Sequence, residues 1–346
     1  MNLYGVSPIG EKMSVTLPKK PYKTELDIIE TEVALKKVKD FFERALADAL
    51  DLTRVSAPLF VENNSGLNDT LNGFERPVAF DIHAGANFEI IHSLAKWKRW
   101  KLRDYNFPVG QGLYTDMTAI RRDEDTDSIH SMYVDQWDWE KIIRKEDRNE
   151  KTLRDTVDAI FGCFKKTEDY ITGEYPFLPK TLPEKITFIS SQELEDMFPN
   201  MSAKEREHEI CRRFGAVFIS QIGGKLRSGA IHDGRAPDYD DWSLNGDILV
   251  YYDVLDIALE LSSMGIRVDE KSMKAQLAER GCTERESLPF HSDLLAGKLP
   301  YTIGGGIGQS RMCMYFLKKA HIGEVQSSYW LPEDIETCQK NNIHLL

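Results

Sequence analysis

A short apolar segment, residues 301–303, runs into Gly304-Gly305-Gly306-Ile307-Gly308 and then Gln309-Ser310-Arg311. Met312, Tyr315, Phe316 and Leu317 follow at helical spacing. The expected order is strand, glycine turn, helix, a place where backbone N–H groups can approach a phosphate closely. Arg311 falls in the first turns of that helix, where a flat guanidinium can meet a phosphate or stack on a base. A glycine-rich turn beside a surface arginine fits the same residues equally well. Gln309 stands where G-x-G-x-x-G requires its last glycine, so a dinucleotide-binding sheet is disfavoured.

With 346 residues, the chain can bury a large core. Its net charge of −12 argues against a nucleic-acid partner, since phosphate backbones are met by clustered Lys and Arg. The basic run at 96–103 is a local exception. No apolar run approaches the roughly 20 residues that span a bilayer, so no membrane partner is expected. The N-terminus shows no apolar secretory core. Cys163, Cys211, Cys282, Cys313 and Cys338 are widely spaced, with no C-x-x-C. Neither a disulfide framework nor a zinc ribbon is indicated, and the cytoplasm is the expected compartment.

Pro8, Pro18 and Pro21 mark residues 1–22 as a flexible extension. Residues 23–346 read as one catalytic domain, since no linker divides them. Residues 29–50 repeat apolar positions at helical spacing. The following segment, 52–61, reads as a strand interrupted by Pro58, which belongs at an edge. Together they offer a surface for a second copy. Residues 62–75 form a polar loop, in which Asp69 is either a turn residue or a ligand. Strands are expected at 78–82, 88–91 and 113–121, the last ending at Arg121. Between them, His92–Lys101 alternates lysine and tryptophan on a short helix: either a solvated basic face or a cationic clamp.

Residues 130–139 alternate, so Gln136 and Asp138 project together from one strand face and need partners or a polar ligand. Ser190 with Glu193, and Ser202 with Glu205, are capping-box patterns. Asn245-Gly246 reads as a turn. Asp247 and Glu260 each stand alone within an apolar run. Buried acids need a counter-charge. They make either a shared oxygen site for Mg²⁺ or two separate ion pairs with local arginines. The expected fold is α+β, a mostly antiparallel sheet flanked by helices, because many short strands follow one another without crossover helices.

Several blocks are recognisable together: Glu89-Ile90-Ile91-His92-Ser93-Leu94-Ala95-Lys96-Trp97-Lys98-Arg99, Tyr133-Val134-Asp135-Gln136-Trp137-Asp138-Trp139-Glu140, Ala236-Pro237-Asp238-Tyr239-Asp240-Asp241-Trp242, Glu260-Leu261-Ser262-Ser263-Met264-Gly265-Ile266-Arg267, and residues 304–311. Over about residues 23–332 the chain resembles the ammonia-dependent asparagine synthetases, or aspartate–ammonia ligases. That family in turn is similar to the catalytic core of class II aminoacyl-tRNA synthetases. The resemblance implies ATP-dependent amidation of aspartate by ammonia, through β-aspartyl-AMP, to asparagine, AMP and pyrophosphate, by a homodimer.

It further implies site residues. Arg121 would hold the α-phosphate, and Gly306, Gly308 and Arg311 would contact ATP or AMP. Asp247, Glu260 and Ser263 would hold Mg²⁺. Ser93, Lys98, Gln136, Asp138 and Arg267 would bind aspartate, with Gln136 and Asp138 on its ammonium group. Asp69 or Asp240 would take the proton from ammonium. The stretch between Trp242 and Asn245 is shorter than in the family's bacterial members, which touches the lid over the pocket and not the flanking motifs. Two other readings are an aspartyl- or asparaginyl-tRNA synthetase, which needs an anticodon-binding barrel, and a non-catalytic sensor of AMP or asparagine, which needs no metal acids.

Overall fold

Asp27 starts the first helix, α1 (Ile28–Leu50). Its carboxylate accepts from Glu30 N, and the Glu30 side chain returns to Asp27 N. Ala34, Leu35, Val38, Phe42 and Leu46 make the face it buries. The computed structural model to which it belongs describes residues 15–71 and 75–346. β1 (Leu52–Arg54) follows at once, and then β2 (Phe60–Glu62), β3 (Ala79–Asp81) and β4 (Asn87–Ile90). These last three form a small antiparallel sheet in the order β2-β4-β3. Residues 52–61 are therefore not one interrupted strand. Pro58 separates two strands that belong to different sheets.

The chain continues through α2 (Ala95–Asp104), β5 (Gly112–Ile120), β6 (Tyr133–Ile142), α3 (Glu150–Glu174), β7 (Thr187–Ser190), α4 (Ser191–Met197) and α5 (Ala203–Phe214). Then come β8 (Ala216–Ser220), β9 (Asp240–Tyr252), β10 (Ile257–Arg267), α6 (Glu270–Arg280), α7 (Pro289–Leu295), β11 (Thr302–Gly308), α8 (Gln309–Phe316) and α9 (Pro332–Lys340). Both expected capping boxes are present, at the starts of α4 and α5.

The eight-stranded sheet has the order β1-β5-β6-β11-β10-β9-β8-β7. It is mixed, which corrects the expectation of a mostly antiparallel sheet. Both outermost strands run parallel to their neighbours, β1 beside β5 and β7 beside β8. A parallel neighbour requires a crossover. α4 and α5 carry the chain from β7 to β8, and the small sheet with α2 carries it from β1 to β5.

Two expected turns are strand instead. Asn245-Gly246 lies within β9, where Asn245 is fully buried and its side chain bonds both the N–H and the carbonyl of Ile222. A Cβ at Gly246 would strike the Ile219 carbonyl of β8, so glycine here serves close strand approach. Residues 242–245, where the family's lid was expected, are part of the same strand. The glycine cluster is likewise strand β11, paired with β10 and β6.

α1 and α3 cover one face of this sheet. Phe42 of α1 stacks on Phe164 of α3 at 5.2 Å and meets Trp137 of β6 at 5.0 Å. Trp137 and Trp139 are wholly buried there. Alternation sends Gln136, Asp138 and Glu140 to the opposite face, where α2 lies. Of the expected flexible extension, residues 1–14 lie outside the described residues. Val15 is buried with Ala320, Cys338 and Ile343, and the Tyr22 hydroxyl donates to Glu324 at 2.9 Å. Among the described residues no helix is long and apolar enough to cross a membrane.

Candidate active site

The α2 face of the sheet holds a cavity of about 430 Å³. Strand β11 makes room for it. A Cβ on Gly304 would fall on the Glu140 carboxylate and the Arg267 guanidinium. One on Gly306 would lie 2.7 Å from Gln136 Oε1 and 2.8 Å from Asp138 Oδ1. The glycines have no left-handed torsions here. They are required because neighbouring side chains cross over the strand, which leaves a trough floored by backbone.

One end of the trough is charged and closely packed. Arg267 Nε donates to both Glu140 oxygens at 3.0 Å, and Nη2 donates to Oε2 at 2.8 Å. Its Nη1 donates to Asp240 Oδ1. Lys98 Nζ donates to the carbonyls of Trp139 and Gly305 at 3.0 and 3.1 Å and lies 3.3 Å from Asp138 Oδ2. Asp138 Oδ2 also accepts from Leu94 N at 3.1 Å. Burial pulls the Lys98 ammonium below its ordinary range, against Asp138. Burial would raise Glu140, but the Arg267 charge beside it holds that carboxyl below the usual range. Asp240 is shifted upward by burial despite Arg267.

The other end holds cations with weak local partners. Arg121 follows β5, and its Nε is buried without a hydrogen-bond partner. Arg311, in the first turn of α8, is held only by long contacts: 3.3 Å to the Ile129 carbonyl, 3.4 Å to that of Glu260 and 3.9 Å to the Glu260 carboxylate. Guanidinium groups held so weakly by their surroundings are ready partners for an anionic ligand. Ser93, Asp69, Gly306 and Gly308 also line the cavity.

Of the expected site residues, all but Asp247 line this one cavity. Asp247 lies behind Arg235, which lines it. The Arg235 Nη2 donates to Asp247 Oδ1 at 2.6 Å, and Nη1 donates to Ser263 Oγ at 2.6 Å. The two acids thus stand as two ion pairs, Asp247 with Arg235 and Glu260 with Arg311. Among the described residues, no group of three or more His, Cys, Asp or Glu is arranged to hold a metal. The oxygen donors still suit a hard cation: burial pushes the Asp247 carboxyl well up against the pull of Arg235, and the Glu260 charge adds to the rise.

Glu140 and Arg235 were missed from sequence. Glu140 continues the parity of Gln136 and Asp138 and was lost by ending the strand at Trp139. Arg235 lies in a polar block whose partners sit on other strands, so spacing carried no signal for it.

A model of the aspartate-ammonia ligase family matches residues 29–342. The chain belongs to this family. Among its aspartate–ammonia ligase relatives, one from Clostridium perfringens is 66% identical over 329 residues, covering 94% of this chain and 98% of the relative. One from Fusobacterium nucleatum is 64% identical over 325 residues, covering 94% and 99%. The fold is similar to that of Pyrococcus horikoshii asparaginyl-tRNA synthetase complexed with asparaginyl-adenylate, with a TM-score of 0.62 at 14% identity, covering 86% of this chain and 68% of that one. The Entamoeba histolytica aspartyl-tRNA synthetase gives a TM-score of 0.60 at 14% identity, covering 88% and 59%. The likeness to these synthetases is one of fold.

Proposed function

We propose that this member of the aspartate–ammonia ligases couples ATP cleavage to amidation of aspartate within the β11 trough. The observation that carries the reading is the polarity of that one cavity. Weakly held guanidinium groups, Arg121 and Arg311, sit at one end. A fixed constellation of Gln136, Asp138, Lys98 and Arg267 sits at the other. Such a cavity suits a small zwitterion joined to a phosphate.

In the first step the aspartate side-chain carboxylate attacks the α-phosphorus of ATP and pyrophosphate leaves. Arg121 stabilises the charge growing on the α-phosphate. Arg311 and the open edge at Gly306 and Gly308 receive the nucleotide. Gln136 and Asp138 accept from the substrate α-ammonium, while Lys98 and Arg267, with Ser93, orient its carboxylates. Glu260, Asp247 and Ser263 would hold Mg²⁺, which supplies positive charge to the phosphates. In the second step ammonia attacks the acyl carbon and AMP leaves. We assign the proton from ammonium to Asp69. The Asp240 carboxylate, although shifted upward by burial, is already engaged by Arg267.

The homodimer implied by the resemblance would use α1, where Ile28, Ile29 and Val33 are exposed. Five buried, unpaired cysteines suit a reducing compartment such as the cytoplasm.

The test is product analysis. Aspartate, ATP and Mg²⁺ should support exchange of labelled pyrophosphate into ATP without ammonium. Adding ammonium should yield asparagine and AMP in equal amounts. No AMP above background would sink the reading.

A further inference from the structure

Strand β6 carries Gln136 and Asp138 towards the trough, and alternation turns Asp135 to the other face, where α1 lies. Asp135 is buried, and both of its oxygens are engaged by protein donors. Oδ1 accepts from Ser310 N at 3.0 Å and from Gln326 Nε2 at 3.4 Å. Oδ2 accepts from Lys39 Nζ of α1 at 3.0 Å. Gln326 Nε2 also donates to Ser310 Oγ at 3.0 Å. Three segments remote in sequence thus meet at the first turn of α8.

That turn lacks a cap of its own. The first N–H groups of a helix have no partner within it. The residue before α8 is Gly308, which has no side chain to satisfy them. The strand that leads in is also half released: β10 pairs with β11 as far as Ile307, and Gly308 pairs with β6 alone. A carboxylate at the start of a helix satisfies an N–H and meets the positive end of the helix dipole. Asp135 supplies from a neighbouring strand the cap that Gly308 cannot.

Arg311 follows Ser310 directly. Its own contacts are all long, so the direction of its guanidinium is set by the turn that bears it rather than by a partner.

We propose that Asp135 is a positioning residue for the nucleotide, acting through Ser310 on Arg311, with Lys39 of α1 holding the carboxylate so that Oδ1 faces α8. The proposal rests on the reading of Arg311 as a nucleotide contact and adds to it the group that keeps that arginine in place. One strand then serves both ends of the trough: its Gln136 and Asp138 face the amino acid, and its Asp135 aims the arginine at the phosphates from behind.

The test compares two full-length variants of similar side-chain shape. Lys39→Met/Asp135→Asn removes the ion pair but keeps an oxygen for Ser310 N. Lys39→Met/Asp135→Leu removes both, and apolar residues of similar volume are tolerated in place of a buried ion pair. ATP binding is measured by calorimetry with Mg²⁺, and the KM for aspartate by pyrophosphate exchange. The asparagine form should bind ATP within about twofold of the wild type, and the leucine form about tenfold more weakly, with the KM for aspartate unchanged in both. Adding Arg311→Ala to each should abolish the difference between them, because losses that act through one residue do not add. Equal ATP affinity in the two forms, a difference that survives Arg311→Ala, or a KM for aspartate that rises in step overturns the positioning role. If the leucine form does not fold, Lys39→Met/Asp135→Ala takes its place in the same comparison. A wild type that binds no ATP would instead overturn the nucleotide reading.

Discussion

Glu140 anchors the Arg267 guanidinium at the end of the trough proposed to take the amino acid. Replacing it in Glu140→Gln leaves Arg267 buried with Asp240 as its remaining acid. Breaking a buried pair in this way costs about 3 kcal/mol. The urea midpoint should fall accordingly, and the KM for aspartate should rise while that for ATP changes little. Arg121 is the opposite case, since its buried Nε has nothing to lose. Arg121→Ala should retain the wild-type melting temperature, and its pyrophosphate exchange should drop by at least about 100-fold. Normal exchange would refute the role assigned to it. At this scale the sequence was legible wherever alternation along one strand sufficed. Gln136 and Asp138 share a face by parity alone. Lys98 was legible only as a cation, because two of its partners are the carbonyls of Trp139 and Gly305, which no side-chain pattern records.

Strand β11 shows how a composition signal can be right about place and wrong about conformation. Four glycines within five residues suggested a turn, yet residues 304–307 pair on both sides and Gly308 pairs with β6. What required glycine at 304 and 306 was the crossing of Glu140, Arg267, Gln136 and Asp138 above it, a fact held in two other strands. Gly306→Ala tests this. The added methyl meets only the ends of Gln136 and Asp138, which can swing aside, so folding should be little affected. The KM for aspartate should rise by about tenfold or more as those acceptors are displaced. An unchanged KM would mean they do not contact the substrate. Helix starts were the best-read elements, because Ser190 with Glu193 and Ser202 with Glu205 are local patterns. The parallel edges were unreadable, because the pairing of β7 with β8 depends on a detour through two helices.

Across the whole molecule, the described N-terminal residues and the C-terminal region are joined through Tyr22 and Glu324. Burial pushes the Glu324 carboxyl up to about 7 from an ordinary 4.5. The folded protein thus retains a proton that the unfolded chain releases. The contribution is full below about 4.5 and is lost as pH rises towards 7. Between pH 5 and pH 8, wild-type stability should therefore fall by on the order of 2 kcal/mol relative to Glu324→Gln. Urea midpoints at the two pH values check this, and parallel shifts in both proteins would contradict it. The association surface proposed on α1 is open to a simple measurement: if the protein is the proposed dimer, Val33→Glu should convert it to monomer in light scattering. A monomeric wild type would place the surface elsewhere.

The bare-backbone floor of the trough has a consequence for redesign. A floor without side chains cannot be lowered by trimming, since there is nothing left to remove. Substitution there can only make the hollow shallower. Acceptance of a longer amino acid would have to be sought in Gln136, Ser93 or the loop bearing Asp69, while the depth itself is set by the spacing of the strands.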